Sequence, residues 1–526
     1  MPDLYYRITK ELVARDPNSD ENSLVSKFLP HEVLVREITP DSIAAKLSWF
    51  DWFRSRWSNV KSPPFKIHCQ APKVFATLVL IGQESAIVSL VFGDDIHDGD
   101  LPLCLTSCEK SGKNKVRSVK TGKEFPSFGS WLQPRVDEFL QKQWIFLAPF
   151  FQTGEHLVLT ADRPLPITQS SLVKAQGTRV FIHKARFHHS HAPFAAPGFS
   201  LAIKEFRDKP TFLREKEILD MIQDLGTKHL IRLLASYQTP SSCCLVFKWA
   251  EGGNLEDFWR RESSTPRTPG LTIWFLQQIV GLVEAVSLLY EKNIRHGDIK
   301  PLNVLHFIQD ASSCGTLVLA DVGISKHHYN LTGLRCDPTM TRETTIGYEA
   351  PEAENDHPDH DQPRSRRYDS WPMGCMLLEF TVWLLYGYEA VDIFRKRRTT
   401  KTRTGDYSDP NGAFFKRHTM DLHPAVERAF VKLRADPRCG SDTARGDLLN
   451  LVKTHLLQVE PKRRLPAPDL HLRLSEILQK AVNNPSYLGK ETDSPIKAPD
   501  FFRRSTKDRT LSDASKSSVD SSISFT

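Results

Sequence analysis

Runs of apolar and polar positions change period along the chain. Val74–Ile81 and Ala86–Phe92 are apolar, β-branched-rich runs separated by Gly82-Gln83-Glu84-Ser85, which predicts two strands and a turn. A polar, basic loop follows at Lys110–Lys123, then a helix over Trp131–Gln143 and a buried strand over Trp144–Phe151. The Pro-punctuated stretch Asp162-Arg163-Pro164-Leu165-Pro166 reads as a linker. From about Leu172 to Val482, strand-like and helix-like segments alternate without a break. Leu201–Phe206 and Cys244–Trp249 are expected as strands and Phe212–Gln223 as a helix. Leu276, Ile279, Val280, Val283, Val286 and Leu289 form the stripe of another helix. Residues 505–526 hold eight serines and few apolar groups, too few to offset the entropy of ordering. The organisation expected is therefore an α+β region over 1–165, a larger domain over 172–482, and a disordered Ser-rich tail over 485–526.

Composition narrows the class. Of 526 residues, 40% are hydrophobic and 25% charged, which fits ordinary globular cores and excludes wholesale disorder. Seventy basic against 63 acidic side chains leave +7, too mild an excess to imply nucleic-acid binding. Nine cysteines without dense spacing argue against a secreted disulfide framework. No secretory signal is visible, and the longest apolar runs are about ten residues where a membrane span needs ~20. A cytoplasmic or nuclear protein, neither secreted nor membrane-spanning, is expected. The basic run opened by Arg395-Lys396-Arg397-Arg398 reads as a solvated loop, with an anionic-partner patch as the alternative. Cys104 and Cys108, with His68 and Cys69, could offer metal ligands, although a lone pair of this spacing is more often structural. His183, His188, His189 and His191 are expected on a solvated hairpin.

The sharpest chemistry lies in Ile294-Arg295-His296-Gly297-Asp298-Ile299-Lys300-Pro301-Leu302-Asn303. On a tight loop, Asp298 could orient a hydroxyl, Lys300 neutralise phosphate charge and Asn303 hold a metal. Phosphoryl transfer needs those parts, because its catalysis is mostly positioning and charge stabilisation. Leu317-Val318-Leu319-Ala320-Asp321-Val322-Gly323 then brings an Asp to a Gly turn on an apolar strand. Asp321 and Asn303 would offer a hard cation the oxygen ligands it prefers.

At these residues the chain resembles the eukaryotic protein kinase family, in its Ser/Thr branch. His296-Gly297-Asp298 stands where the family has His-Arg-Asp, and Asp321-Val322-Gly323 where it has Asp-Phe-Gly. Tyr348-Glu349-Ala350-Pro351-Glu352 looks like the end of an activation segment, and Asp369-Ser370-Trp371-Pro372-Met373-Gly374 like the Asp-x-Trp-x-x-Gly of the central helix. Arg464 resembles the late Arg that pairs with the Glu of Ala-Pro-Glu, here Glu352. Leu201-Ala202-Ile203-Lys204 matches the strand of the nucleotide-binding Lys, and Glu215 the Glu that holds it. Phe247 would be the gatekeeper and Lys248–Ala250 the hinge. The resemblance implies an α+β, bilobal kinase-like fold, with a small antiparallel-sheet lobe and a large helical lobe. It implies ATP and Mg2+ as cofactors and a protein substrate. Catalysis would rest on Asp298, Lys300 and Asn303. Gly177, Val180, Ala202, Lys204, Glu215, Lys248, Ala250, Leu305 and Asp321 would hold the nucleotide, and Asn303 and Asp321 the metal. His296 would be a packed spine residue, and Asp369 would brace the catalytic-loop backbone. Residues 1–165 resemble a region preceding kinase domains in filamentous-fungal proteins.

Three departures stand out. The phosphate-covering loop, Val173–Val180, has one glycine, Gly177, so close backbone approach to phosphate is hindered. Gly297 replaces the Arg that in the family receives a phosphorylated activation segment, a non-RD pattern. Val322 replaces Phe. A pseudokinase scaffold and a small-molecule kinase of the aminoglycoside-phosphotransferase type are the alternative readings.

Overall fold

The computed structural model describes residues 3–14, 27–47, 63–106, 115–176, 179–196, 198–265, 268–308, 314–322, 346–353, 366–399, 408–488 and 498–503. Two compact units result, Met1–Leu213 with Leu233–Trp249, and Arg214–Arg232 with Ala250–Thr526. The chain thus crosses between them three times, at Leu213–Arg214, Arg232–Leu233 and Trp249–Ala250.

The first unit has two apolar cores. One gathers side chains from Leu4 to Leu147. Around it lie β1 (Val13–Ala14) paired with β2 (Lys27–Phe28), and β3 (Leu103–Thr106) paired with β4 (Lys115–Ser118). The strands expected at 74–81 and 86–92 are instead helical: Pro72–Leu80 is an α-helix, and Glu84–Ala86 and Ser89–Gly93 are short helical turns. Pro72 opens the helix, and the Asp98 carboxylate accepts from the N–H groups of Lys73 and Val74 at 3.0–3.2 Å. Val74, Phe75, Leu78 and Val79 are all buried, so the helix is apolar on every side. A helix of that kind has no polar stripe to set it apart from a buried strand. The strand expected at 144–151 is likewise absent: Gln143–Phe146 is a 3-10 turn.

The second core runs from Phe151 to Val246 and fills one face of a six-stranded sheet. Its strands are β5 (His156–Val158), β6 (Ile167–Gln176), β7 (Val180–Phe187), β8 (Leu201–Phe206), β9 (Leu233–Gln238) and β10 (Cys243–Lys248), in the order β5-β9-β10-β8-β7-β6. Only β5 pairs in parallel, with β9; the other neighbours are antiparallel. The sheet draws one strand from before the expected break at 165–172. β5 precedes the proline-rich stretch yet belongs to this sheet, and the two cores divide between Leu147 and Phe151. The histidine-rich insert is also not simply solvated, since His191 is buried.

The second unit is mainly helical. Ser370–Tyr386 is buried on nearly all sides, and a Cβ at Gly374 would come within 2.7 Å of the Leu456 side chain, so that position requires glycine. Pro269–Glu291, the helix expected from the Leu276–Leu289 stripe, packs along Ala467–Asn483. It is the one helix among the described residues long and apolar enough to cross a membrane, and 72% of its apolar window is buried within the protein. β11 (Val304–Phe307) and β12 (Thr316–Leu319) form a separate antiparallel pair. The C-terminal segment also departs from the expected disordered tail. Tyr487 and Leu488 are buried, and Phe502, 1% exposed, sits against Tyr386 and Phe394 at ring separations of 5.4 and 6.2 Å. These aromatic contacts supply apolar burial that the serine-rich sequence around them does not. Residues 504–526 lie outside the described residues.

Candidate active site

The β11–β12 pair sets the register of the site. Val304 lies opposite Leu319, so Asn303, just before one strand, is brought next to Ala320 and Asp321, just after the other. The N–H of Ala320 donates to the Asn303 carbonyl at 2.9 Å. Asp321 has φ +60°, a left-handed conformation uncommon for a side-chain-bearing residue, and one that clusters at functional sites.

Asp298, Lys300 and Asn303 form one hydrogen-bonded group. Lys300 Nζ donates to Asp298 Oδ2 at 2.8 Å, and Asn303 Nδ2 donates to the same oxygen and to the Asp298 carbonyl, both at 2.8 Å. Asp298 keeps about a quarter of its side chain exposed, whereas Lys300 and Asn303 are buried. The carboxylate is thus reachable while its rotamer is fixed by two donors.

The loop is held from below. Asp369 is buried at the start of the central helix and accepts from the N–H groups of His296 and Gly297, each at 2.8 Å. Burial raises its pKa, opposed by His296 and by those two N–H donors. His296 is fully buried; its Nδ1 accepts the Asp298 N–H at 3.3 Å, so Nε2 carries the proton and donates to the Ala320 carbonyl at 3.0 Å. Burial lowers its pKa, which suits this neutral tautomer. One histidine therefore joins the Asp298 loop to the strand end bearing Asp321. Gly297 has φ +81°, a conformation in which any side chain is strained.

Two ion-pair groups support the surface beyond the loop. Arg464, 1% exposed, makes a bidentate pair with Glu352 at 2.7 Å on both arms, as the sequence led us to expect. The other was not legible beforehand. The helix Tyr388–Thr399 contains the basic run expected as a solvated loop, and its Arg395 and Arg398 turn inward onto the fully buried Glu379, at 2.7 and 2.8 Å. Tyr348 also donates to Glu379 at 2.5 Å. Burial opposes ionisation of Glu379, yet the two guanidiniums hold its pKa down to about 2. The available signal was Glu379 itself, a lone carboxylate in an apolar helix that needs cationic partners, with arginines three residues apart on one helix face. Lys396 of the same run points outward to Asp392. An open cleft of about 170 Å³ lies between this cluster and Lys300, bordered also by Leu302 and Gly347.

The remaining expected site residues divide between the units. Val180, Ala202, Lys204 and Lys248 lie on the sheet of the first, where Lys204 is opposite Ile182 and Leu245, and Ala202 opposite Lys184 and Phe247. Glu215, Ala250, Leu305 and Asp321 lie in the second. Gly177, Gly323 and the segment 323–345 are outside the described residues, as is Cys108. His68, Cys69 and Cys104 do not gather into a ligand group among the described residues; His68 Nδ1 instead meets the Ile38 carbonyl at 2.7 Å.

The protein kinase domain family matches residues 182–471, more than half of the chain. A calcium/calmodulin-dependent protein kinase of Metarhizium anisopliae is 29% identical over 195 residues, covering 36% of this chain and 46% of that one. The serine/threonine-protein kinase sck2 of Schizosaccharomyces pombe is 30% identical over 167 residues, 32% of this chain and 23% of that one. The human mitogen-activated protein kinase kinase kinase 5 is 25% identical over 280 residues, 51% of this chain and 18% of the relative. The chain spans less than half the length of these relatives. With its sheet-rich and helix-rich lobes and its kinase-domain match, the chain belongs to the eukaryotic protein kinase family.

Proposed function

We propose that the protein is a Ser/Thr protein kinase that uses ATP and Mg2+ to phosphorylate a hydroxyl of a protein substrate, in the cytoplasm or nucleus. The observation that carries this reading is the fixed, partly exposed Asp298 carboxylate, held by Lys300 and Asn303. Asp298 takes the proton of the acceptor hydroxyl, and Lys300 offsets the negative charge of the phosphoryl oxygens. The donor set near Asp321 fits a hard divalent cation: a carboxylate and an amide from Asn303, oxygen ligands of the kind Mg2+ takes. Mg2+ there would neutralise phosphate charge. Val180, Ala202, Lys204 and Lys248 on the first unit, and Glu215, Ala250 and Leu305 on the second, are the residues we propose to serve the nucleotide. The Glu352–Arg464 pair supports a protein-binding surface in preference to a small-molecule one.

A second reading, a pseudokinase acting as a binding module, is favoured by one feature, the single glycine in Val173–Val180. Transfer of radiolabelled γ-phosphate to generic protein substrates, with and without Mg2+, separates the two. Mg2+-dependent label on Ser or Thr supports the kinase. Nucleotide binding without transfer, under conditions where a control kinase works, supports the pseudokinase.

A further inference from the structure

The histidine-rich insert meets the N-terminal region at a junction that the kinase chemistry does not use. Inside it, the buried His191 accepts the N–H of His31 at 3.1 Å and packs on Phe28 and Phe150, with ring centroids 5.5 and 4.8 Å away. On its outer edge lie Glu32, from the helix His31–Glu37, and His188 and His189, from the turn after β7. One ligand atom from each of these three lies within 4.8 Å of the others, the one such group of three among the described residues. His189 Nε2 is 2.9 Å from one Glu32 oxygen, and His188 Nε2 is 3.9 Å from the other. The two imidazoles are stacked, with centroids 4.6 Å apart and planes 24° apart.

We propose that Glu32, His188 and His189 bind a zinc-type divalent ion that clips the N-terminal region to the small kinase lobe. Two imidazole nitrogens and a carboxylate are a zinc donor set, and in a tetrahedral site with bonds of about 2.0–2.2 Å the fourth position falls to water. Mg2+ disfavours such nitrogen ligands, so the ion taken here differs in class from the one beside Asp321. The outer contacts of His188 fix its ring: Nδ1 accepts the Ser190 N–H at 3.3 Å and lies 2.9 Å from Ser190 Oγ, which leaves Nε2 on the side of Glu32. Glu32 and His189 are about half exposed, which leaves the ion a way in. The residues joined are 157 positions apart, so the clip closes a long loop of chain, where a cross-link constrains the unfolded state most in principle.

The test is a titration of the full chain, stripped by chelator, with ZnSO4 in a calorimeter, repeated on His189→Ala and Glu32→Gln. Both positions are surface-exposed, and matching circular-dichroism spectra verify that the variants fold. The expected result is one site per chain that weakens at least tenfold in each variant. Co2+ in place of Zn2+ should give d–d bands of a nitrogen–oxygen site without thiolate charge transfer. Unchanged affinity in both variants, a thiolate band showing that cysteines take the ion, or no binding at micromolar Zn2+ would each overturn the proposal.

Discussion

Replacing Asp369 by Asn keeps the shape of the side chain and changes one acceptor oxygen into a donor. In the native loop both carboxylate oxygens are used, each taking a backbone N–H at 2.8 Å from His296 or Gly297. Asn can serve one of those N–H groups and must present its own N–H₂ to the other. A hydrogen bond to a charged group contributes roughly 1.5–3 kcal/mol, and a buried donor left unmade costs about 1–3 kcal/mol more. Part of this is returned, because the carboxylate is fully buried and its desolvation is relieved. The net expectation is a loss of about 3 kcal/mol in the helical lobe. Urea unfolding followed by tryptophan fluorescence measures it, with Trp371 on the same helix as a reporter. Turnover should fall more steeply than folding, since a loop shift of about 1 Å costs on the order of 100-fold in rate. A variant within about 0.5 kcal/mol of the parent that turns over normally would refute the bracing role of Asp369.

Gly297→Arg restores a guanidinium beside Asp298 but places a side chain at φ +81°; it should cost roughly 1–3 kcal/mol in a thermal melt and bring no gain in kinase rate. Phe502→Ala should lower stability by about 3 kcal/mol, and truncation after Leu488 by at least as much; an unchanged melting temperature for either would remove the C-terminal segment from the fold. His191 and His423 are held neutral by burial, with pKa values of about 4. Their folded pKa values lie below the unfolded one near 6.5, so their contribution is fully present above about pH 6.5 and is lost as pH falls toward 4, by up to about 3 kcal/mol each. Melting temperatures measured across pH 7 to 4 should therefore decline, and His191→Gln should flatten the decline of the first unit.

Legibility in the sequence followed the source of each signal. The Asp298–Asn303 loop was readable because its chemistry calls for those residue types at close spacing, and Asp369 and the Glu352–Arg464 pair because their motifs resemble those of the kinase family. The helix Pro269–Glu291 was readable because its apolar stripe has helical period. The helix at Pro72–Leu80 was not, because an element buried on all sides loses the polar face that reports its period. β5 was missed because three residues, mostly exposed, carry no strand pattern and are recruited by an open sheet edge. Arg395 and Arg398 looked like surface charge because their partner, Glu379, is sixteen and nineteen residues away in sequence. Phe502 hid in a serine-rich context, where one aromatic side chain decides what packs.

The central claim, that Asp298 is the base of a protein kinase, is tested most directly by one comparison. Purified parent chain and Asp298→Asn are given radiolabelled ATP, Mg2+ and a mixture of generic protein substrates, with nucleotide binding measured alongside by a fluorescent ATP analogue. The account predicts Mg2+-dependent phosphate on Ser or Thr for the parent, and a loss of about 100-fold or more for the variant with nucleotide affinity preserved. Equal transfer by the two proteins, or none by a parent that binds nucleotide, would contradict it.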